Sequence, residues 1–176
     1  LGSTTLQFYL TPMVHWPETM MTYLPEKKML FSADAFGTFG TLDGGVMDSQ
    51  LMPERYRSEM IRYYSNIVGK FGSPVQTALK KLAEVPIEAI CSTHGPIWTV
   101  KENIAEVVGL YDRLSRYEGE NGLVITYGSM YGHTEQLAEL IAAEAAANGI
   151  RNIVMHNLAK SHISDVIRDV FTYKGL

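Results

Sequence analysis

Only one cysteine, Cys91, occurs among the 176 residues, which excludes an intrachain disulfide and any iron–sulfur or rubredoxin-type site built from this chain alone. A metal held here is restricted to nitrogen and oxygen ligands. No apolar run approaches the roughly 20 residues that cross a bilayer, and the first residues lack the basic-then-apolar layout of a signal peptide. These absences point to a cytoplasmic protein with no membrane partner. Clusters of positive charge are also missing. Fifteen basic residues stand against nineteen acidic ones, a net charge of −4, with no basic run of the kind that displaces counterions from a nucleic-acid backbone. The start, Leu1-Gly2-Ser3, carries no initiator Met, and the end, Phe171 to Leu176, has no polar tail. The sequence reads as a segment of something longer.

What is present is ordinary for a packed globular chain, with 46% hydrophobic and 19% charged residues. Leu6, Phe8 and Leu10 alternate as in a half-buried strand that stops at Thr11-Pro12. Met29-Leu30-Phe31 is a second short apolar run, and Gly37, Gly40, Gly44 and Gly45 make the following region a long loop. The composition of Pro53 to Val68 predicts a helix with Met60, Ile61, Tyr64 and Val68 on one face. A second helix is expected from Ser73 as cap, Pro74 in the first turn, Gln76 completing a capping box, and Val75, Ala78, Leu79 and Leu82 at helical spacing. Ile87 to Thr93 reads as a strand. Ile104, Val107, Val108, Tyr111 and Leu114 form another amphipathic helix, closed by the polar stretch from Glu118 to Gly122. Beyond it, strand, helix, strand, helix alternate as in a doubly wound sheet: Leu123 to Tyr127, a long helix through Ala147 stopped at Asn148-Gly149, Arg151 to His156, and Ile163 to Val170.

Between the strand at Leu123 and the long helix lies Thr126-Tyr-Gly-Ser-Met-Tyr-Gly-His-Thr134. At such a junction backbone N–H groups lack partners and the helix dipole favours an anion. Ser129 and Thr134 add hydroxyl donors, and Gly128 and Gly132 let the backbone wrap closely around an oxyanion. No lysine is present, so the loop is not a Walker motif. An ordinary strand-to-helix turn with caps is the competing reading.

Three residues with metal-ligating chemistry sit where strands give way to turns containing Pro or Gly: His15 in Met-Val-His-Trp-Pro, Asp34 in Ser-Ala-Asp-Ala-Phe-Gly, and His94 in Ser-Thr-His-Gly-Pro. Taken singly, each is as readily a hydrogen-bonded histidine, a loop carboxylate or a turn residue. Cys91, an odd number of positions before His94, is expected to face away from it as a buried structural thiol. Met13, Met20, Met21, Trp16, Trp98 and Tyr23 read as core or interface packing, and His156 and His162 as surface or structural.

Taken together the segments resemble the flavodiiron proteins. In that family's metallo-β-lactamase-like domain a His-Trp-Pro segment, a Phe-Ser-x-Asp-x-Phe-Gly segment and a Ser-x-His-Gly-Pro segment follow one another, and all three are here in that order. Ser129 to Glu135 resembles the family's version of the flavodoxin phosphate loop, with His133 in place of the more usual Asn. The resemblance implies the C-terminal half of a metallo-β-lactamase-like αββα sandwich followed by the first part of a flavodoxin-like doubly wound parallel sheet. Residues 1–118 would belong to the first, 119–122 to a linker and 123–176 to the second. It implies two non-haem iron ions, with His15 a ligand of one, Asp34 the carboxylate bridging both and His94 a ligand of the other. Ser129, Met130, Tyr131, Gly132, His133 and Thr134 would hold the phosphate of FMN. The family's remaining ligand segment, His-x-Glu-x-Asp-His, has no match in the chain, so about half of the diiron site is expected here. The implied activity is reduction of O2 to water or NO to N2O with electrons from a small donor such as rubredoxin, in a head-to-tail homodimer or a dimer of dimers. A zinc hydrolase of the lactamase fold and a non-catalytic FMN electron carrier are the rival readings.

Overall fold

The computed structural model of the chain describes residues 2–176; Leu1, where the first expected domain begins, lies outside the described residues. The chain divides into two compact units, one ending at Tyr117 and the other running from Glu118 to Leu176.

The first unit is built on a four-stranded sheet in the order β1 (Gln7–Leu10), β2 (Met20–Leu24), β3 (Met29–Phe31), β4 (Ala89–Cys91). The first two pairings are antiparallel and β3–β4 is parallel. The crossover from β3 to β4 carries two helices, α1 (Pro53–Tyr63) and α2 (Gly72–Leu82), and α3 (Lys101–Ser115) follows β4. Alternation along the strands sends Met21, Tyr23, Leu30 and Ile90 to one face, where they are buried. A cavity of about 260 Å³ between that face and the helices is lined by Leu30, Ile90, Leu79, Leu82, Ile104 and Val108. The opposite face is apolar but uncovered: Phe8 and Leu10 on β1, Met20 on β2 and Phe31 on β3 share it by register and are exposed. One covered and one bare apolar face are what a single sheet of an αββα sandwich presents when seen without the other sheet.

Several local expectations need correction. β2 is absent from the sequence reading, because in Met20 to Leu24 both faces carry apolar side chains, with Thr22 the one clearly polar residue, and the period-2 contrast is weak. The helix at Pro53 does not run uniformly to Val68; it is α-helical to Tyr63 and π-helical over Tyr64–Val68. Ser73 does not cap α2, which starts at Gly72 after Phe71 with no side-chain cap. Gln76 completes no capping box. Its amide instead donates to Asp112 Oδ1 at 2.8 Å and Ser115 Oγ at 2.7 Å on α3, a tertiary use that outcompetes the local one. Of the residues read as core or interface packing, Met21, Tyr23 and Trp98 are core, while Trp16 and Met20 lie exposed at the surface.

The second unit is a parallel three-stranded sheet in the order β6 (Ile153–Asn157), β5 (Glu120–Tyr127), β7 (Tyr173–Gly175), with α4 (His133–Ala147) and α5 (Ile163–Thr172) as the connections. β5 begins at Glu120, within the polar stretch 119–122 expected to be a linker. Asn148 closes α4, and Gly149 at φ +91° supplies the left-handed residue that ends it. β7 was not anticipated from its three residues.

The carboxylate of Asp48 organises the start of α3. Its residue is 1% exposed, and it accepts hydrogen bonds from the amides of Ser49, Thr99 and Val100, the Thr99 hydroxyl and the Asn103 side chain at 2.8–3.1 Å. Burial pushes its pKa up, but these donors and their partial positive charges outweigh burial and hold it below the ordinary carboxylate value. Asp48→Ala orphans those donors and is expected to cost about 2–3 kcal/mol of unfolding free energy. Because the folded pKa is depressed, the contribution is complete above the ordinary carboxylate range and lost as pH falls through the folded value. Denaturant melts of the wild type and Asp48→Ala should therefore converge in acid; a gap that stayed constant down to about pH 2 would contradict this account.

Candidate functional site

Parallel pairing of β3 with β4 aligns Phe31 with Cys91, and the pairing continues into the loops, where the Ser32 amide donates to the Cys91 carbonyl and the Thr93 amide to the Ala33 carbonyl. Asp34 and His94 thus leave adjacent strand ends side by side. The backbone around them is unusual. Ala33, Phe36 and Met13, near Asp34 and His15, hold φ of +52°, +63° and +66°, a region non-glycine residues adopt only when their surroundings force it, and such positions cluster at functional sites. The surroundings here are specific: Ser32 Oγ donates to the Ala35 carbonyl at 2.7 Å, and the buried Trp98 indole donates to the Phe36 carbonyl at 3.0 Å.

His15, from the loop between β1 and β2, places Nε2 3.2 Å from Asp34 Oδ2, and His94 places Nε2 3.9 Å from the other oxygen, Oδ1. The structure therefore brings all three sequence-predicted residues to one carboxylate, one imidazole per oxygen. His94 Nδ1 lies 3.0 Å from the Thr38 carbonyl. A carbonyl can only accept, so this contact assigns a proton to Nδ1; in the neutral form of the ring Nε2 then turns its lone pair toward Asp34. Two electron-rich atoms separated by 3.9 Å make a seat for a cation rather than a hydrogen bond. Gly37 permits the arrangement, since a Cβ there would fall 2.4 Å from His94 Cε1 and 2.9 Å from the Asp34 carbonyl. The Tyr63 ring packs edge-on against His94 at 4.6 Å; burial, with a contribution from the Asp34 charge, pushes its phenol pKa up and keeps it neutral.

Among the described residues no group of three or more His, Cys, Asp or Glu side chains gathers to hold one metal ion. The two imidazoles address different oxygens of the Asp34 carboxylate. Mixed imidazole and carboxylate donors around a shared carboxylate fit a pair of iron or zinc ions, each needing further ligands. The sequence reading gave no role at the site to Thr93, Thr38, Gly37 or Tyr63; Thr93 adjoins His94 in the same motif, but the hydrogen bond its hydroxyl donates to Asp34 Oδ1 depends on strand pairing.

In the second unit, Ser129 to Gly132 form the turn from β5 into α4. Gly132, at φ +87°, precedes the helix and supplies no side-chain cap, so the first-turn amides are open to an anion. No neighbouring atom lies within 4 Å of a Cβ built at Gly128 or Gly132, and Met130 and Tyr131 are 85% and 83% exposed. Ser129 Oγ accepts from the Gly132 amide at 3.0 Å, which closes the loop, and the Tyr127 hydroxyl donates to Glu135 at 2.8 Å, tying strand end to first helical turn. His133 and Thr134 are the first two residues of α4. This uncapped helix start with adjacent hydroxyls fits a phosphate.

The other chemistry-bearing residues are absorbed structurally. Cys91 is half-buried rather than buried, and its thiol pKa is raised by what burial it has. It shares the bare sheet face with Phe31. His156 is buried, 2.8 Å from Asp169 and 3.3 Å from Ser161; burial raises the Asp169 pKa, but Arg168 and His156 hold it low. His162 caps α5 by accepting from the Ser164 amide.

Comparison with known proteins agrees with both halves. Residues 1–95, more than half of the chain, match the ODP family beta lactamase model, and residues 125–176 match Flavodoxin. Over 174 residues the chain is 32% identical to the anaerobic nitric oxide reductase flavorubredoxin of Shigella dysenteriae, covering 97% of this chain and 36% of that protein. The flavodiiron protein from Giardia intestinalis superposes with a TM-score of 0.89 at 28% identity, over 95% of this chain and 40% of its own. The rubredoxin oxygen:oxidoreductase from Desulfovibrio gigas gives a TM-score of 0.90 at 27% identity, over 97% and 42%. The chain thus spans between 36% and 43% of the length of these and related proteins. With a lactamase-like part followed by a flavodoxin-like parallel sheet, it belongs to the flavodiiron proteins, of which it is a segment.

Proposed function

We propose that the protein containing this chain is an oxidoreductase that passes electrons from a small redox protein, such as a rubredoxin, through FMN to a non-haem diiron site where O2 is reduced to water or NO to N2O. The observation that carries this reading is the pair of imidazoles on opposite oxygens of Asp34, with the His94 ring proton committed to Thr38. It is supported by the similarity to a nitric oxide reductase flavorubredoxin and to a rubredoxin oxygen:oxidoreductase. A homodimer or dimer of dimers, in which the flavin of one subunit serves the metal site of another, is part of the same proposal.

His15, Asp34 and His94 would hold the irons, and Ser129, Met130, Tyr131, Gly132, His133 and Thr134 the FMN phosphate. When bound, FMN supplies one- and two-electron redox chemistry and the iron pair supplies open positions for a diatomic gas. The residues of the chain contribute orientation and charge. With two cations bound, the Asp34 carboxylate would present its negative charge to both and offset their repulsion. The Thr38 carbonyl holds the His94 ring proton on Nδ1, so that Nε2 would be the atom that ligates. Gly132 leaves the α4 amides free for a dianion, and the hydroxyls of Ser129 and Thr134 add donors beside them.

Asp34→Asn and His94→Ala in the full-length protein are expected to lower iron per chain and to abolish NO and O2 consumption by the reduced protein, measured by metal analysis and gas electrodes. Wild-type iron content in Asp34→Asn, or zinc in place of iron in the purified wild type, would contradict the proposal. Ser129→Ala with Thr134→Ala removes two phosphate donors, each worth about 1.5–3 kcal/mol to a charged acceptor. FMN affinity, followed by quenching of flavin fluorescence, should fall at least tenfold while iron content holds; unchanged affinity would place the phosphate elsewhere.

A further inference from the structure

The Thr93 hydroxyl donates to Asp34 Oδ1 across 59 sequence positions. It lies 3.3 Å from the Ala33 carbonyl, to which the Thr93 amide donates at 2.9 Å. Thr93 therefore grips both the carboxylate and the left-handed residue that immediately precedes it. We propose that Thr93 is a positioning residue for the shared carboxylate, its hydroxyl holding the Asp34 carboxylate at the rotation that keeps Oδ2 on the His15 side and Oδ1 on the His94 side. This rests on the reading of Asp34 as a ligand of both irons.

The physical need is plain. The terminal torsion of an aspartate is broad and roughly two-fold, so a carboxylate without an outer donor turns freely and presents its oxygens in no fixed plane. Two cations on opposite oxygens require a fixed plane, and ligating carboxylates are themselves held by hydrogen bonds from outside. Each carboxylate oxygen carries two lone pairs; Thr93 takes one on Oδ1 and leaves the other for the ion on the His94 side. His94 Nε2 stands 3.9 Å from the same oxygen, beyond hydrogen-bond reach, with the Nδ1 proton on the Thr38 carbonyl. The hydroxyl is therefore the hydrogen-bond donor that acts on Oδ1. Thr93 itself is exposed, so replacing its side chain leaves the core as it is.

Thr93→Val keeps the branched shape and removes the donor, and Thr93→Ser restores the donor without the methyl group. In the iron-loaded, full-length protein, iron release to a chelator and the Mössbauer spectrum of the reoxidised site report the geometry without recourse to turnover. Thr93→Val is expected to release iron about tenfold faster, in line with the effect of outer-shell partners on metal affinity. Its coupling between the irons should also be altered, with an unchanged thermal midpoint, while Thr93→Ser behaves as the wild type. Wild-type retention and spectrum in Thr93→Val, or a Thr93→Ser protein as leaky as Thr93→Val, would overturn the proposal. Asp34→Asn keeps the two failures apart. If it retains both irons, the reading of the site itself is wrong; if it loses iron while Thr93→Val does not, only the positioning role is wrong.

Discussion

The parallel pairing of β3 with β4 is the constraint on which the candidate metal site depends. Neither strand exceeds three residues, yet the register that sets Phe31 beside Cys91 also sets Ala33 beside Thr93 and brings the Asp34 and His94 loops together. A slip of one residue would turn every side chain of β4 to the other face. Ile90 would then leave the core, and with it the hydrogen bonds that tie Ile90 to Trp98 in both directions. Those bonds fix Trp98, whose indole holds the Phe36 carbonyl, so the loop bearing Asp34 is braced from beneath by the same tryptophan that fills the core. Packing and chemistry are joined at one point.

How much of this was legible in the sequence depended on range. The phosphate loop is local: a buried strand, a Gly-containing turn and a helix start lie within a dozen residues, and each part can be read from its own neighbours. The three candidate ligands were legible as motifs and by resemblance, while their convergence was not, since the reach from His15 to Asp34 and from Asp34 to His94 is set by strand order. Thr93 and Gly37 illustrate the limit. Thr93 is an unremarkable residue beside a histidine until pairing brings it to Asp34, and Gly37 looks like one more loop glycine until its missing Cβ proves to be the space that the His94 ring occupies.

Elsewhere tertiary contacts overrode local rules. The Ser73–Gln76 pattern has the spacing of a capping box, but Gln76 finds better partners on α3 and the helix starts without a side-chain cap. β2 lacks alternation because Met20, on its exposed side, is as apolar as Met21 on the buried side. That failure is informative. Phe8, Leu10, Met20 and Phe31 are apolar on the face opposite the buried Met21, Tyr23, Leu30 and Ile90, the pattern of a sheet buried on both sides.

The most direct test of the two-ion reading is anomalous X-ray scattering at the iron edge from crystals of the full-length protein. The account predicts two peaks flanking the Asp34 carboxylate, one on the Oδ2 side within bonding reach of His15 Nε2 and one on the Oδ1 side within reach of His94 Nε2. A single peak, or peaks that leave either imidazole without a metal, would contradict it.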